Sequence, residues 1–271
     1  MIEYLETSCI GKKSADLCED AFVAGEHFAA VIDGSTSKAS RTYHERMSNG
    51  KLASHTAKEV IGKLPIGADL KMTCLLLEKA ISDLYEKYDA DTCDLLEHPE
   101  NRITASAVIY SHFRKEIWMI GDCLCLVDGK LYTNEKPHEA ALAEKRSEEI
   151  HRLLEEGYSI EQLIVDDLGR KVILAGIIES TKGQNKTFSV IDGFPIPTEL
   201  VKVIEVADAK EIILASDGYP VVENCLEKTE KALDEIVKND PLLINLYKAT
   251  KGLRPGQTSF DDRTFVRMRV M

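Results

Sequence analysis

No stretch of this chain approaches the roughly 20 consecutive apolar residues that a bilayer-spanning helix needs, which argues against a membrane span. Cations are short as well: 34 Lys and Arg stand against 46 Asp and Glu, a formal charge of −12. Nucleic-acid and anionic-membrane surfaces depend on clustered cations, so neither is expected here. The seven cysteines, Cys9, Cys18, Cys74, Cys93, Cys123, Cys125 and Cys225, lack paired metal-type spacing. Their number is odd and the chain is too long to need a disulfide framework, so they read as reduced, mostly buried small apolar residues. The opening Met-Ile-Glu-Tyr-Leu-Glu has no basic stretch ahead of an apolar one, and with reduced cysteines this predicts a cytoplasmic protein without a secretory leader. There is no fixed-period repeat, low-complexity tract or Pro/Gly/Ser-rich linker, so one domain over 1–271 is the economical reading.

What is present has the balance of a globular protein, 44% hydrophobic and 30% charged. Apolar runs rich in Val, Ile and Phe, bounded by turn residues, predict strands at Ala21–Ala24, Phe28–Ile32, Ala105–Ser111, Glu116–Ile120, Cys123–Val127 and Lys130–Tyr132. Further strands are expected at Val172–Ala175, Thr187–Ile191, Leu200–Val206, Glu211–Ala215 and Thr264–Val270. Helical spacing runs through Leu70, Cys74, Leu77, Ile81, Leu84 and Tyr88, and again through Leu142, Ile150, Leu153 and Leu154, with Gly157 placed to end that helix. Weaker helical segments lie at Leu52–Lys63 and Thr229–Val237. Strands and helices do not alternate one for one, so a doubly wound parallel sheet is disfavoured and an α+β architecture of mostly antiparallel sheet is expected.

The informative feature is the placing of acids at strand ends. Asp33-Gly34 closes Phe28–Ile32 and Asp217-Gly218 closes Ile212–Ser216; Glu19-Asp20 opens a strand, Gly121-Asp122 sits between two, and Asp261-Asp262 opens the last. Asp-Gly alone is the commonest hairpin pair, and Asp128-Gly129 between two short strands reads as that. A loop leading toward a helix follows Asp33 and Asp217, which a bare turn explains less well. Seven carboxylates brought to one edge would repel one another, raising some pKa values or demanding cations. Hard oxygen donors without neighbouring His or Cys suit Mg²⁺ or Mn²⁺ rather than Zn²⁺. A carboxylate that bridges two such ions can prepare a water as nucleophile at neutral pH.

These residues also carry a resemblance. Cys18-Glu19-Asp20-Ala21-Phe22, Ala30-Val31-Ile32-Asp33-Gly34, Thr104-Ala105-Ser106-Ala107-Val108 leading to Gly121-Asp122-Cys123, Leu214-Ala215-Ser216-Asp217-Gly218 and Asp261-Asp262-Arg263-Thr264-Phe265-Val266 occur in the order seen in PP2C-like, metal-dependent Ser/Thr protein phosphatases. Each block is a short pattern of low specificity, but five in order span residues 18–266. The resemblance implies a single PP2C-like phosphatase domain, an αββα arrangement with a central antiparallel β-sandwich and helices on both outer faces. It implies that Asp33 bridges two divalent ions, with the Gly34 carbonyl as a further ligand. Asp217 and Asp261 then resemble ligands of one ion, and Glu19 reaches a metal-bound water. Asp122 and Asp20 resemble residues linked to an additional, weaker ion position or to its waters, and Asp262, where the family usually has Asn, would support the ligands from behind.

The implied reaction is hydrolysis of phosphoserine or phosphothreonine esters in a protein substrate, by direct attack of a metal-activated water, with Asp33, Asp217 and Glu19 catalytic and Mg²⁺ or Mn²⁺ as cofactor. Three departures bear on it. Ala15 stands where the family often carries an Arg that grips phosphate, leaving Lys12 or Lys13 as candidate point charges, although an exposed charged loop is their simplest reading. Ser35 follows Asp33-Gly34 where many eukaryotic members have His; His44 is a candidate substitute. The segment Asn185–Gly193 also departs from the later-strand pattern of the family. Two rivals therefore stand beside the main reading: a phosphatase of a small phosphorylated metabolite on the same scaffold, and a weakly active or inactive relative acting as a regulatory binding module.

Overall fold

The computed structural model describes residues 1–38 and 41–271. Its strands in chain order are β1 (Ile2–Ile10), β2 (Ala21–Ala24), β3 (Phe28–Gly34), β4 (Ala105–Ser111), β5 (Glu116–Ile120), β6 (Leu124–Val127), β7 (Lys130–Tyr132), β8 (Lys202–Glu205), β9 (Glu211–Ala215) and β10 (Arg263–Val270). The α-helices are α1 (Asn49–Ile61), α2 (Leu70–Lys87), α3 (Thr92–Glu97), α4 (Glu139–Glu155), α5 (Ile160–Val165), α6 (Leu168–Ser180) and α7 (Leu226–Asn239). The strands form two five-stranded sheets, ordered β2-β3-β4-β5-β8 and β1-β10-β9-β6-β7, in which every pairing is antiparallel.

Period-two alternation explains the layering. In the first sheet Ala30, Ile32, Ile109, Trp118 and Ile120 pack on α1 and α2 through Ala53, Ala57, Leu77 and Ile81. Their neighbours Ala29, Val31, Val108, Tyr110, Ile117 and Met119 meet Cys125, Ile212, Leu214, Val266 and Met268 of the second sheet. The far face of that sheet, with Ile213, Ala215 and Phe265, is covered by Leu233 of α7 and by Leu243 and Phe260. The layers are thus helix, sheet, sheet, helix. Both faces of the central strands are buried, which is why they read as continuous apolar runs, each fully buried Ile or Leu contributing about 1.5–3 kcal/mol. Trp118 is fully buried, and Cys123 and Cys125 both lie in the sandwich interior. No helix among the described residues is long and apolar enough to cross a membrane.

Two expected strands are absent. Val172–Ala175 lies inside α6, where the Asp167 carboxylate caps the helix by accepting from the Arg170 N–H, and Ile173 and Ile177 turn inward one helical turn apart. Val172 and Leu174 are exposed, so the run is apolar around the helix and its period is masked. Thr187–Ile191 joins the first sheet only through an isolated bridge from Ile191 to Ala105, while the Asn185 side chain accepts the Val190 N–H in place of a strand partner. Conversely, β1 carries Glu3 and Glu6 among its apolar residues and a register shift between Tyr4 and Glu6, and it pairs only with β10 at the sheet edge. The helix with the Leu142 stripe ends as its sequence suggests, with Gly157 in the left-handed region at φ 96°.

Helices α4, α5 and α6 form a unit outside the sandwich, in which Ile150 and Leu153 of α4, Leu163 of α5 and Leu168 of α6 pack with Leu242 and Ile244. Arg146 is fully buried there, paired with Asp167 at 2.8 Å and donating to the carbonyls of Leu242 at 2.9 Å and Ala249 at 3.0 Å. One guanidinium therefore fixes the segment that leads to Lys251.

Candidate metal centre

All seven singled-out acids lie at one end of the sandwich, because strand ends and starts from both sheets meet there. Asp33 is on the last turn of pairing between β3 and β4, opposite Ser106. Asp122 precedes β6, Asp217 follows β9, and Asp261 and Asp262 precede β10. Carboxylate oxygens of Asp33, Asp122 and Asp217 all come within 4.8 Å of one another. They sit at the floor of a pocket of about 180 Å³, together with Gly34, Asp261 and the cationic side chains Lys38, Lys136, Lys251 and Arg170.

Two glycines make this convergence possible. A Cβ on Gly34 would lie 2.2 Å from the Gly50 carbonyl oxygen and 2.4 Å from that of Glu19. A Cβ on Gly218 would lie 2.0 Å from the Asp262 carbonyl oxygen. Each glycine following an acid thus lets a second acid-bearing segment press against the first, which a turn does not require. Asp128-Gly129 differs: both residues have positive φ, nothing lies close to Gly129, and Val127 pairs with Lys130 across a tight hairpin.

The acids are supported unequally. Ser106 donates from Oγ to Asp122 Oδ1 at 2.6 Å, and Lys136 Nζ stands 2.6 Å from Asp122 Oδ2. Asp20 Oδ2 accepts from Ser216 Oγ at 2.7 Å and Thr264 Oγ1 at 2.8 Å, while its Oδ1 is buried without a partner. Asp262 accepts from the backbone N–H groups of Lys12 at 2.7 Å and Glu19 at 3.0 Å, fixing the turn that carries Glu19. Glu19 in turn accepts from the hydroxyls of Thr36 at 2.5 Å and Ser48 at 2.6 Å. Asp261 is held by Lys12 Nζ on Oδ1 at 3.0 Å and by Lys251 on Oδ2. Asp217 Oδ1 is buried without a hydrogen-bond partner among the described residues.

Proton affinities follow from this pattern. Burial, then the charges of Asp20, Asp261 and Asp122, pushes the Asp33 carboxyl well above its ordinary range. Burial and then Asp33 and Asp122 do the same to Asp217. Asp20 is pushed up to about 8, mainly by burial and against the two hydroxyl bonds. For Asp122 burial works the same way but Lys136 outweighs it, and the carboxyl is lowered. Asp261 is likewise buried, yet Lys251 and Lys12 hold it down at about 2. Asp33 and Asp217 are therefore acids short of positive charge in a set of hard oxygen donors, a fit to a divalent cation such as Mg²⁺ or Mn²⁺.

Of the residues read as phosphate contacts, Lys12 joins the centre and Lys13 is exposed. His44 packs against Tyr88 at 6.5 Å, and its Nδ1 accepts the Arg46 N–H, away from the pocket lining. His138 lines the pocket instead, edge-on to Phe188, with a buried Nε2 that has no partner. Ser35 and Lys38 are joined by a side-chain hydrogen bond at the rim. Sequence reasoning missed Ser106, Ser216 and Thr264, although each lies within a quoted block, next to an acid or at an inward strand position. It also missed Lys136, Lys251 and His138, for which no local pattern gives a signal.

No protein-family model matches the chain, and no curated protein matches it. Among solved structures it is similar to the catalytic domain of the serine/threonine protein phosphatase PstP in complex with two manganese ions, at 14% identity, 100% coverage of both chains and a TM-score of 0.49. It is similar to the PPM Ser-Thr phosphatase of Mycobacterium smegmatis, solved with cacodylate, at 15% identity, with 98% of this chain and 97% of that one covered and a TM-score of 0.47. It is also similar to the serine/threonine phosphatase Stp1 of Staphylococcus aureus, at 13% identity, with 100% and 94% covered and a TM-score of 0.45.

Proposed function

We propose that this protein is a divalent-metal-dependent phosphatase of the PP2C-like kind, a single domain over 1–271 that hydrolyses phosphoserine or phosphothreonine esters. The observation that carries the reading is the group of Asp33, Asp122 and Asp217 at a pocket floor, with Asp217 Oδ1 buried and unpartnered. The five ordered sequence blocks support it, since they hold the same acids.

When bound, Mg²⁺ or Mn²⁺ supplies a water nucleophile at neutral pH and neutralises phosphoryl oxygens. The chain's own residues do the rest. Asp33 and Asp217, with the Gly34 carbonyl, would hold the first ion, with an Asp122 oxygen within 4.8 Å of theirs, and Asp261 would offer a second position, whereas the resemblance puts Asp217 and Asp261 on one ion and Asp122 at a weaker one. Glu19, fixed by Thr36 and Ser48, would accept a hydrogen bond from a water held at the ions. Asp20 and Asp262 tie the strands behind the ligands. Lys38, Lys136, Lys251 and Arg170 line the pocket and would meet the anionic ester, none of them at the Ala15 position where the family often carries its Arg. Lys13, exposed, plays no part in this scheme.

One observation favours the small-metabolite reading: α4 and α6 contribute Leu142, Arg170 and Ile177 to the pocket wall beside the acids. Phosphate release from a phosphoserine peptide and from small sugar and amino-acid phosphates, measured side by side with Mn²⁺, decides between them. The peptide is expected to be the better substrate. Turnover of small esters alone would establish the second reading, and no turnover of any ester would overturn both in favour of a binding module.

A further inference from the structure

The acids of this centre differ in how far their oxygens are already committed. Asp33 and Asp217 have no lysine within ion-pair distance among the described residues, and Asp217 Oδ1 has no partner of any kind. Asp122 gives one oxygen to Ser106 and the other to Lys136. Asp261 is committed on both: Oδ1 accepts from Lys12 Nζ at 3.0 Å and from the Asp262 N–H at 3.0 Å, and Oδ2 is paired with Lys251. Lys12 Nζ also reaches Asp262 Oδ2 at 3.4 Å and Glu19 Oε2 at 3.6 Å, so one ammonium group holds three carboxylates together. These side chains are mostly shielded, at 12% exposure for Asp261, 19% for Lys12 and 27% for Lys251, and charge-assisted pairs in such surroundings are not given up freely.

We propose that Lys12 and Lys251 are resident cations at Asp261 that make the two ion positions unequal. A first divalent ion enters between Asp33 and Asp217, beside an Asp122 already paired with Lys136, and a second is admitted at Asp261 only by displacing both ammonium groups. This rests on the reading of the acids as a divalent-ion centre. Two fixed cations do at Asp261 what an ion does at Asp33 and Asp217, where no lysine reaches. The second position is therefore weak in the intact protein and becomes strong when a lysine is removed.

Calorimetric titration of chelator-stripped full-length protein with Mn²⁺ alone tests this without using activity. The intact protein is expected to bind one ion tightly and a second at least about 30-fold more weakly, or not at all over the range measured. Lys251→Met should tighten or reveal the second step by about tenfold, with the first step changed by less than about twofold. Lys251→Arg keeps the cation and should keep the weak second step, which controls for damage to the fold. Lys248→Met is the control for general charge, because Lys248 lines the same pocket but pairs with Glu144 at 2.6 Å; it should leave both steps unchanged. Two equal steps in the intact protein, a second step that Lys251→Met leaves alone, or equal tightening by Lys248→Met would each overturn the inference while the ion centre stands. Absence of any Mn²⁺ binding to the intact protein would overturn the centre itself.

Discussion

Asp33→Asn and Asp217→Asn are each expected to abolish Mn²⁺-dependent ester hydrolysis while leaving the protein folded. Both acids lie at strand ends facing a pocket rather than in the apolar layers, so the amide replaces the carboxylate without a cavity or clash. What is lost is one negative charge among donors that must balance a divalent ion. A bound ion supplies several kcal/mol of transition-state stabilisation, and each 1.36 kcal/mol is tenfold in rate, so the loss should be about 10³-fold or more. The metal-free fold should not suffer. Asp33 and Asp217 repel each other and Asp122, and neutralising one removes a buried like-charge interaction, so metal-free stability should stay equal or rise by about 1–2 kcal/mol. Thermal unfolding with chelator and with Mn²⁺ separates the two effects: the intact protein gains stability from Mn²⁺ and the variants do not. Full hydrolysis by either variant, with an unchanged Mn²⁺ response, would remove Asp33 or Asp217 from the centre.

Metal-free protein should become more stable as the pH falls from about 8 to about 6.5. Asp20, Asp33 and Asp217 have folded pKa values above their unfolded ones, so the folded state holds their protons more tightly. A raised acid contributes stability that is complete below the unfolded value and is lost as pH climbs through the folded one, which for Asp20 is about 8. Asp261, held at about 2, has the opposite sign, but its contribution changes only in strong acid. Asp192, raised to about 6 by burial, has the same sign as Asp20 and finishes titrating near the lower edge of the window. One raised acid across that window is worth about 2 kcal/mol, and in a chain of this size that is about 4–8 °C in Tm. Asp20→Asn should flatten part of the slope. Saturating Mn²⁺ should reverse it, since the ligands must be deprotonated to bind. A metal-free Tm that is flat or rises with pH would show that these acids are not short of positive charge.

Legibility in the sequence followed how local each interaction is. β3, β4, β5 and β9 could be read because both of their faces are buried, leaving unbroken apolar runs that end in polar turns. The Leu70 and Leu142 stripes could be read because one face of each helix is wet. β1 was hidden by Glu3 and Glu6 on an exposed edge, and α6 by exposed Val172 and Leu174, which fill in the polar face that would betray its period. The acids were legible as strand-end residues, and the fold brings them to one edge as that placement suggests. Their unequal support was not, because the pair of Lys12 with Asp261 joins residues 249 apart in the chain. Ser216 and Thr264, 196 and 244 residues from Asp20, reach it only across the two sheets. His138 enters the pocket from the loop before α4, where no sequence pattern sets it apart from a surface histidine.

The proposed chemistry requires a divalent ion between Asp33 and Asp217. Anomalous diffraction at the manganese edge, from crystals soaked in Mn²⁺, tests it directly. A strong peak is expected about 2.0–2.4 Å from carboxylate oxygens of both residues. Density showing both carboxylates without a peak between them, at Mn²⁺ concentrations that support hydrolysis, would contradict it.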